Sequence, residues 1–501
     1  MEKTEFYQTG PSLSNTFSPW LQQKLSKLLP TDVFSQIAPH LKHVGQLAVS
    51  DWLTYSREAE STPPTLKTFD PWGRRIDEIQ VSEGWRALER AAAVEGIVAS
   101  AYERKFGSHS RLYQAALLYL FHPSSAFVSC PLAMSDGAAR AIELFGDNEM
   151  KANAFKNLIS RDPLKAWTSG QWMTERTGGS DVSQTSTTAR LDQDGTWLLN
   201  GVKWFTSATT SQMAMLLARP DGAKAGSQGL SLFYTELRRE PGSLEGLEIL
   251  RLKKKLGTDA LPTAELRLVD KKARLVGELG GGVRKISSHF NITRVYNSVC
   301  AVGHLRRALD LAWSYAAVRT VFGKKLIDQP LHRATLKEVE AQFEKCFDLT
   351  FYVAGLLGRD ECGEASEAEK LLLRALTPIV KLFTARMCMS GVSEVVESFG
   401  GAGYIEETGI PRLLRDAQVF SIWEGTTNVL ALDFLRAVGL SPQDFILAAE
   451  SAFKSLKTDS SWALAVGILV SGFSREEMEV QARRLSFLIA EAISEALRLR
   501  S

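Results

Sequence analysis

Cysteine, charge imbalance and long apolar runs are all scarce in this chain, and each shortage excludes a class of protein. The five cysteines (Cys130, Cys300, Cys346, Cys362 and Cys388) are scattered over 501 residues without a Cys-x-x-Cys pair. An odd, unpatterned set suits a reducing compartment and argues against a zinc site, so no metal is expected. Lysine and arginine number 59 against 57 aspartates and glutamates, a net charge of +2. That balance supplies no field to gather phosphates, so neither nucleic acid nor an acidic membrane surface is an expected partner. Apolar stretches such as Trp462 to Val470 fall far short of the roughly 20 residues a membrane span needs. Glu2 and Glu5 break any signal-like pattern at the start, and Leu499-Arg500-Ser501 is not a peroxisomal address. A cytoplasmic location is the expectation.

What is present is an ordinary globular mixture, 45% hydrophobic and 23% charged, long enough for roughly three domains. Residues 1–165 read as mainly helical; Trp85 to Tyr102 is rich in Ala, Glu, Leu and Arg, which lose little freedom in a helix. A loop is expected from Ser61 to Gly73, where prolines and the Asp70-Pro71-Trp72-Gly73 turn stand. Residues 166–278 read as a β-domain. Thr196 to Leu199 and Val202 to Phe205 flank Asn200-Gly201, a dipeptide that predicts a hairpin turn. Met213 to Ala218, Leu230 to Tyr234 and Ala264 to Leu268 read as further strands. In residues 279–440 the helical period returns: Leu336, Val339, Phe343 and Phe347 share one face. Ala301 to Val321 and Leu371 to Phe399 are similar, which predicts an antiparallel bundle. Residues 441–501 read as a short helical extension. The expected class is α+β and multi-domain: helical domain, β-domain, helical bundle.

Two segments carry chemistry. In Ser421-Ile422-Trp423-Glu424-Gly425-Thr426-Thr427-Asn428 a carboxylate stands beside apolar residues, a glycine that lets the backbone turn, and hydroxyls that can hold a ligand. An apolar surround makes a carboxylate a better proton acceptor near neutral pH. In Met173-Thr174-Glu175-Arg176-Thr177-Gly178-Gly179-Ser180-Asp181 two glycines between hydroxyl residues free backbone N–H groups to meet a flavin carbonyl or a phosphate.

The second of these segments resembles the flavin-binding motif that opens the β-domain of acyl-CoA dehydrogenases. Lys203-Trp204-Phe205-Thr206-Ser207 resembles that family's second flavin motif, and Arg319-Thr320-Val321-Phe322-Gly323 its Arg-x-x-Phe-Gly element. Glu397 to Gly403 is similar to its Gly-Gly-x-Gly element, and Trp423-Glu424-Gly425-Thr426 to its catalytic loop. Asp70-Pro71-Trp72-Gly73-Arg74-Arg75, Leu326 to Leu331 and Ser421 to Gly425 resemble the alkylation-response, AidB-type branch. The fold implied is that of the acyl-CoA dehydrogenases. The activity implied is FAD-dependent α,β-dehydrogenation of an acyl thioester, the α-proton going to Glu424 and the β-hydrogen to flavin N5 as hydride.

The resemblance also implies roles. Met173 and Thr174 approach the flavin pyrimidine, Ser180 the diphosphate, Phe205 the ring face and Ser207 the N5 atom, and Gly179 is a further cofactor-binding position. Arg319 and Phe322 reach a neighbouring subunit's FAD, Gly400 and Gly401 cradle it, and Thr426 and Asn428 lie near ribose or adenine. Sharing of this kind implies a homo-oligomer, dimer or tetramer, with an electron-transfer flavoprotein or oxygen as acceptor. Phe290-Asn291-Ile292-Thr293-Arg294 resembles the element that contacts the thioester's pantetheine arm, with Asn291 replacing an Asp; Arg294 reads equally as a tie between helices. Thr293 stands where some members carry the base, which leaves Glu424 as the matching candidate. Gln329 falls one residue early and Glu397 replaces a Gln, so neither is assigned to the cofactor. Glu175 reads as either a ligand or a structural partner, and Arg483-Arg484 as a helix face. Two alternatives stay open: a flavin oxidase or desaturase of a non-CoA or carrier-bound substrate, and a largely non-catalytic flavin-bearing binding or protective protein.

Overall fold

The computed structural model describes residues 10–237, 244–439 and 442–499. Glu2, Glu5, the boundary drawn after Leu440, and Arg500 and Ser501 lie outside them. The chain divides into two compact units: Asp51–Glu103 with Ser124–Thr293, and Met1–Ser50 with Arg104–Pro123 and Arg294–Ser501. Among the described residues no helix is long and apolar enough to cross a membrane, and no group of His, Cys, Asp and Glu could hold a metal ion.

The first unit is built on strands. An antiparallel hairpin, β1 (Thr65–Phe69) and β2 (Arg75–Gln80), surrounds the Asp70 turn. Asp70 Oδ1 accepts from the Trp72 and Arg74 N–H groups, both at 2.9 Å. The turn is where the sequence places it, but strand β1 occupies much of the expected loop. Its partner strand docks by side chains: the Ile249 N–H donates to Asp77 at 3.0 Å and Arg75 donates to the Ile249 carbonyl at 2.8 Å.

The main sheet has seven strands: β3 (Ser169–Trp172), β4 (Thr188–Leu191), β5 (Trp197–Ser207), β6 (Met213–Pro220), β7 (Ser231–Glu236), β8 (Leu247–Leu252) and β9 (Thr263–Leu275). They pair in the order β3-β6-β4-β5-β9-β7, with β8 on β9. A further β6–β7 pairing closes five of them into a ring. Trp172, Leu199, Leu216, Phe233 and Leu266 fill its core, as alternating inward positions of a closed sheet require.

Asn200-Gly201 is not the hairpin turn its composition suggests. Both residues lie inside β5, and the chain reverses instead at Asp192 to Thr196, where the Asp192 N–H donates to the Thr196 carbonyl at 2.9 Å and Gly195 has φ +83°. A register shift against β9 falls at this point. Asn200 exchanges two bonds with Asp270, at 2.8 and 2.9 Å. Gly201 is small for a different reason: a Cβ there would stand 2.5 Å from Thr187 Oγ1 and 2.9 Å from its Cα. Gly201→Ala should therefore cost about 1–3 kcal/mol from overpacking, read as a lowered urea midpoint; an unchanged midpoint would show that β4 yields freely.

The long helix expected from Trp85 to Tyr102 is broken into Glu83–Val94 and Ala99–Tyr102. Gly96 between them has φ +66°, and a Cβ there would meet the Arg161 guanidinium. That guanidinium pairs with Glu103 and donates to the Val94 carbonyl at 3.3 Å. A glycine at positive φ thus ends a helix that composition alone would carry through.

The second unit is helical. Its main helices are the part of Gly282–Val318 from Arg294 on, Pro330–Glu361, Glu367–Ser398 and Thr427–Val438. Leu336, Val339, Phe343 and Phe347 are all buried on one face, as their period predicts. Ser366 and Glu369 form a capping box that starts the helix at Glu367. Near the end of the chain the helix Arg475–Arg498 belongs to the same unit and buries Leu485, Ile489 and Ile493. Phe487 packs on Phe383, and Lys345 pairs with Glu491 at 2.6 Å.

Candidate active site

In the strand unit, the two flavin-like segments are locked together by a buried ion pair. Lys203 Nζ donates to Glu175 Oε1 at 2.7 Å and to the Leu217 carbonyl at 3.2 Å, and its side chain is 0% exposed. Ser186 and Thr187 add backbone N–H and hydroxyl donors to the same carboxylate. Burial pushes the Glu175 carboxyl up, but Lys203 and the Ser186 and Thr187 donors outweigh it and bring it down to about 2. Burial works against the Lys203 charge, and Glu175 opposes that fall. With every donor aimed at the carboxylate, ionised Glu175 is the anchor of the pair. It is a structural partner, and Lys203 is the residue sequence reasoning left without a role.

This anchor fixes the surrounding loop. The Trp204 N–H donates to the Thr174 carbonyl at 2.9 Å, and Glu175 and Gly178 exchange backbone bonds. Met173 is buried and Thr174 half-buried, while Gly179 and Ser180 are exposed. Phe205 is 52% exposed, and Ser207, half-buried, pairs its hydroxyl with Thr263 at 3.1 Å. Beside Phe205, the Trp204 ring carries Lys253 at 3.4 Å and Arg176 at 4.9 Å from its centroid. Phe290 and Asn291 are half-buried on the helix Gly282–Val318. Their neighbour His289 is buried with both ring nitrogens unpaired, and burial drives its pKa down to about 3, with Asp136 opposing.

In the helical unit, Glu424 sits in the turn between helices Ile410–Val419 and Thr427–Val438 with φ +56°, followed by Gly425 at φ +104°. The glycine serves the turn as expected. The apolar surround does not materialise: Ile422 is 55% exposed, and Trp423 turns its indole N–H to Asn297. Two basic side chains meet the backbone of the turn. Arg294 Nε donates to the Glu424 carbonyl at 3.4 Å, and Lys381 Nζ to the Gly425 carbonyl at 2.6 Å. Arg294 is itself tied to Asp433 at 2.6 Å, which Arg374 also grips at 2.7 Å. Burial raises the Asp433 carboxyl, but the two arginines hold it below the usual range. Arg294 therefore has helix-tying partners here. Burial draws Lys381 down to about 7, with Glu424 opposing and Arg294 adding to the fall. Thr426 and Asn428 are exposed at the start of the following helix, where Arg483 donates to Asn428 Oδ1 at 3.4 Å.

The same unit contains a cavity of about 580 Å³ whose lining includes Tyr315, Arg319, His332, Glu397, Gly400 and Gly401. It brings Arg319 together with the two glycines, whereas Thr426, Asn428 and Phe322 are not part of its wall. Phe322 is 98% exposed at the tip of a short hairpin, with φ +51°. Gln329 donates to the Val321 carbonyl at 3.2 Å and so closes that hairpin. The donor set fits the adenosine diphosphate part of FAD: a cation, an unpaired His332 Nε2, and glycines whose absent side chains leave open space. Glu397, withheld from the cofactor above, shares this wall. Glu397 lies within a motif, whereas Lys381 lies outside every motif, and its one sequence signal is a lone charge in an apolar helical stretch.

Family models match most of the chain: acyl-CoA dehydrogenase, C-terminal domain, over residues 280–439; acyl-CoA dehydrogenase, middle domain, over 170–270; and adaptive response protein AidB N-terminal domain over 15–162. Acyl-CoA dehydrogenase family member 11 of Caenorhabditis elegans is 42% identical, covering 98% of this chain and 81% of its own length. Putative acyl-CoA dehydrogenase AidB of Escherichia coli is 32% identical, over 82% and 76% respectively. The solved structure of Caenorhabditis elegans ACDH-11 in complex with C11-CoA superposes with a TM-score of 0.94 at 40% identity, covering 99% of this chain and 89% of that one. A second, Bd2924 in its apo-form, does so with a TM-score of 0.95 at 57% identity, covering 98% and 99%.

Proposed function

The chain belongs to the acyl-CoA dehydrogenase family and is an FAD-dependent oxidoreductase of acyl-CoA-type thioesters, and we propose that Glu424 is the base that takes the α-proton. The observation that carries this reading is the turn itself. A half-buried carboxyl group is held on a left-handed backbone whose two carbonyls are each met by a basic side chain. A general base works only when fixed within reach of the proton it removes. Bound FAD supplies the hydride acceptor. Around it we assign Thr174, Gly179 and Ser180 to the flavin and its diphosphate, Phe205 to the ring face and Ser207 to the N5 side. Arg319, Gly400 and Gly401 take the adenosine end, and Phe290 and Asn291 the thioester arm.

The wide exposure of Phe322, Leu331 and Tyr404 supports a homo-oligomer in which a neighbouring copy covers the adenosine cavity. The odd, scattered set of five cysteines supports a cytoplasmic location. Because the worm relative was solved with C11-CoA, we place the substrate among medium to long acyl chains. The test is an anaerobic titration with short, branched, medium and long acyl-CoAs, read on the flavin's visible band. Bleaching by one class names the substrate range, and no bleaching by any thioester, with flavin bound, would sink the reading. Admitting oxygen or an electron-transfer flavoprotein then identifies the acceptor.

Arg319→Ala should lower FAD affinity about 10–100-fold, the loss expected for one charge-assisted hydrogen bond. Fluorescence titration of the apoprotein reads it. Unchanged affinity would remove Arg319 from the cofactor site.

A further inference from the structure

Lys381 is out of place by every local rule. It lies mid-helix between Val380 and Leu382, in a stretch from Leu372 to Ala385 that is almost wholly buried and apolar. Its own side chain is buried, at 0% exposure. Packing would be served better by a methionine or leucine, because a buried ammonium gives up its hydration. Its hydrogen-bond partner among the described residues is the Gly425 carbonyl, 2.6 Å away.

That carbonyl belongs to a strained turn. Glu424 and Gly425 both have positive φ, a conformation that costs a side-chain-bearing residue energy and persists only where the surroundings enforce it. On the Glu424 side the enforcing group is Arg294, whose position is set independently by Asp433. On the Gly425 side it is Lys381. The burial that draws the amine down to about 7 does not remove this role, since a neutral amine still donates N–H to a carbonyl.

We propose that Lys381 is a positioning residue for the reaction: by holding the Gly425 carbonyl opposite the Arg294 grip, it keeps Glu424 in the left-handed conformation from which its carboxylate meets the substrate α-proton. The inference rests on Glu424 being the base, and the experiment separates the two.

Unmodified holoenzyme, Lys381→Met, Lys381→Gln and Glu424→Gln are mixed anaerobically with an acyl-CoA that bleaches the unmodified enzyme, and flavin reduction is followed by stopped flow at saturation. Affinity for the corresponding 2-enoyl-CoA and FAD content are measured in parallel. Lys381→Met should slow reduction about 100-fold, the effect of a small misplacement of a reacting group. Lys381→Gln, whose amide reaches one bond short, should slow it about 10-fold. Enoyl-CoA affinity and FAD content should stay within threefold, a split that general loss of structure would not give. Should Lys381→Met fail to fold, Lys381→Gln decides: a tenfold loss with full flavin supports the role. Either folded variant within threefold of the unmodified rate, with Glu424→Gln silent, overturns the role of Lys381 and leaves the base assignment standing. Glu424→Gln at the unmodified rate overturns both.

Discussion

Glu424→Gln is expected to bind FAD and acyl-CoA and to leave the flavin band unbleached, with reduction slowed by about 10²–10⁴-fold, the usual contribution of a positioned base. The substitution keeps the size of the side chain and its place in the turn. The Glu424 and Gly425 carbonyls keep their bonds from Arg294 and Lys381 because those engage the backbone. What is lost is a group able to accept a proton. Thr293, the alternative position that the family resemblance implies, has only a hydroxyl, which donates to the Phe290 carbonyl at 3.2 Å. No second carboxylate from the family pattern is available there. Single-turnover reduction by the best acyl-CoA reads the effect, and a rate within tenfold of the unmodified enzyme would place the base elsewhere.

The largest effect on stability is expected from Glu175→Ala. The substitution leaves Lys203, with no exposure, facing no counter-charge, and uncompensated burial of this kind costs about 3–5 kcal/mol. It also removes the acceptor shared by Ser186 and Thr187, so the loop that carries Thr174 and Ser180 loses its anchor. Urea denaturation of the flavin-free protein measures the cost apart from cofactor binding. The double variant Glu175→Gln with Lys203→Met should recover much of it, because neither charge then stays buried alone. A single-variant loss below about 1 kcal/mol would mean that water reaches the amine.

The pair also sets a pH dependence. Glu175 in the folded chain titrates at about 2 against an ordinary 4.5. A depressed folded value contributes stability above the unfolded pKa and loses it as pH falls toward the folded one. The stability gap between the unmodified protein and the double variant should therefore narrow from about pH 4.5 toward pH 2. A gap constant across that window would show that Glu175 is not the titrating group.

Much of this molecule was legible one segment at a time. The spacing of Leu336, Val339, Phe343 and Phe347 implies a buried helix face whatever lies opposite, and all four are buried. The apolar runs Met213 to Ala218, Leu230 to Tyr234 and Ala264 to Leu268 fall on β6, β7 and β9 apart from Leu230, and a glycine after Glu424 marks a turn because few other residues accept φ +104°. Local chemistry misled where a distant group intervened. Asn200-Gly201 has the composition of a hairpin turn, yet Asp270 pairs with Asn200, and Thr187 stands where a Gly201 side chain would be. Gly96 takes φ +66° and ends a helix whose composition favours continuing, and Arg161 caps that end by donating to the Val94 carbonyl.

By itself, then, the sequence determined the main helical faces and β runs, the motifs and the family they point to, and the place of a carboxylate in the turn before Gly425. Tertiary structure alone decided what holds each charged group. Glu175 meets Lys203 across 28 residues, Lys381 meets the Gly425 carbonyl across 44, and Arg294 meets Asp433 across 139. Periodicity and turn propensity are properties of one segment and are written within it. The partner of a buried charge is set by which separate elements pack together, and no spacing along the chain encodes that.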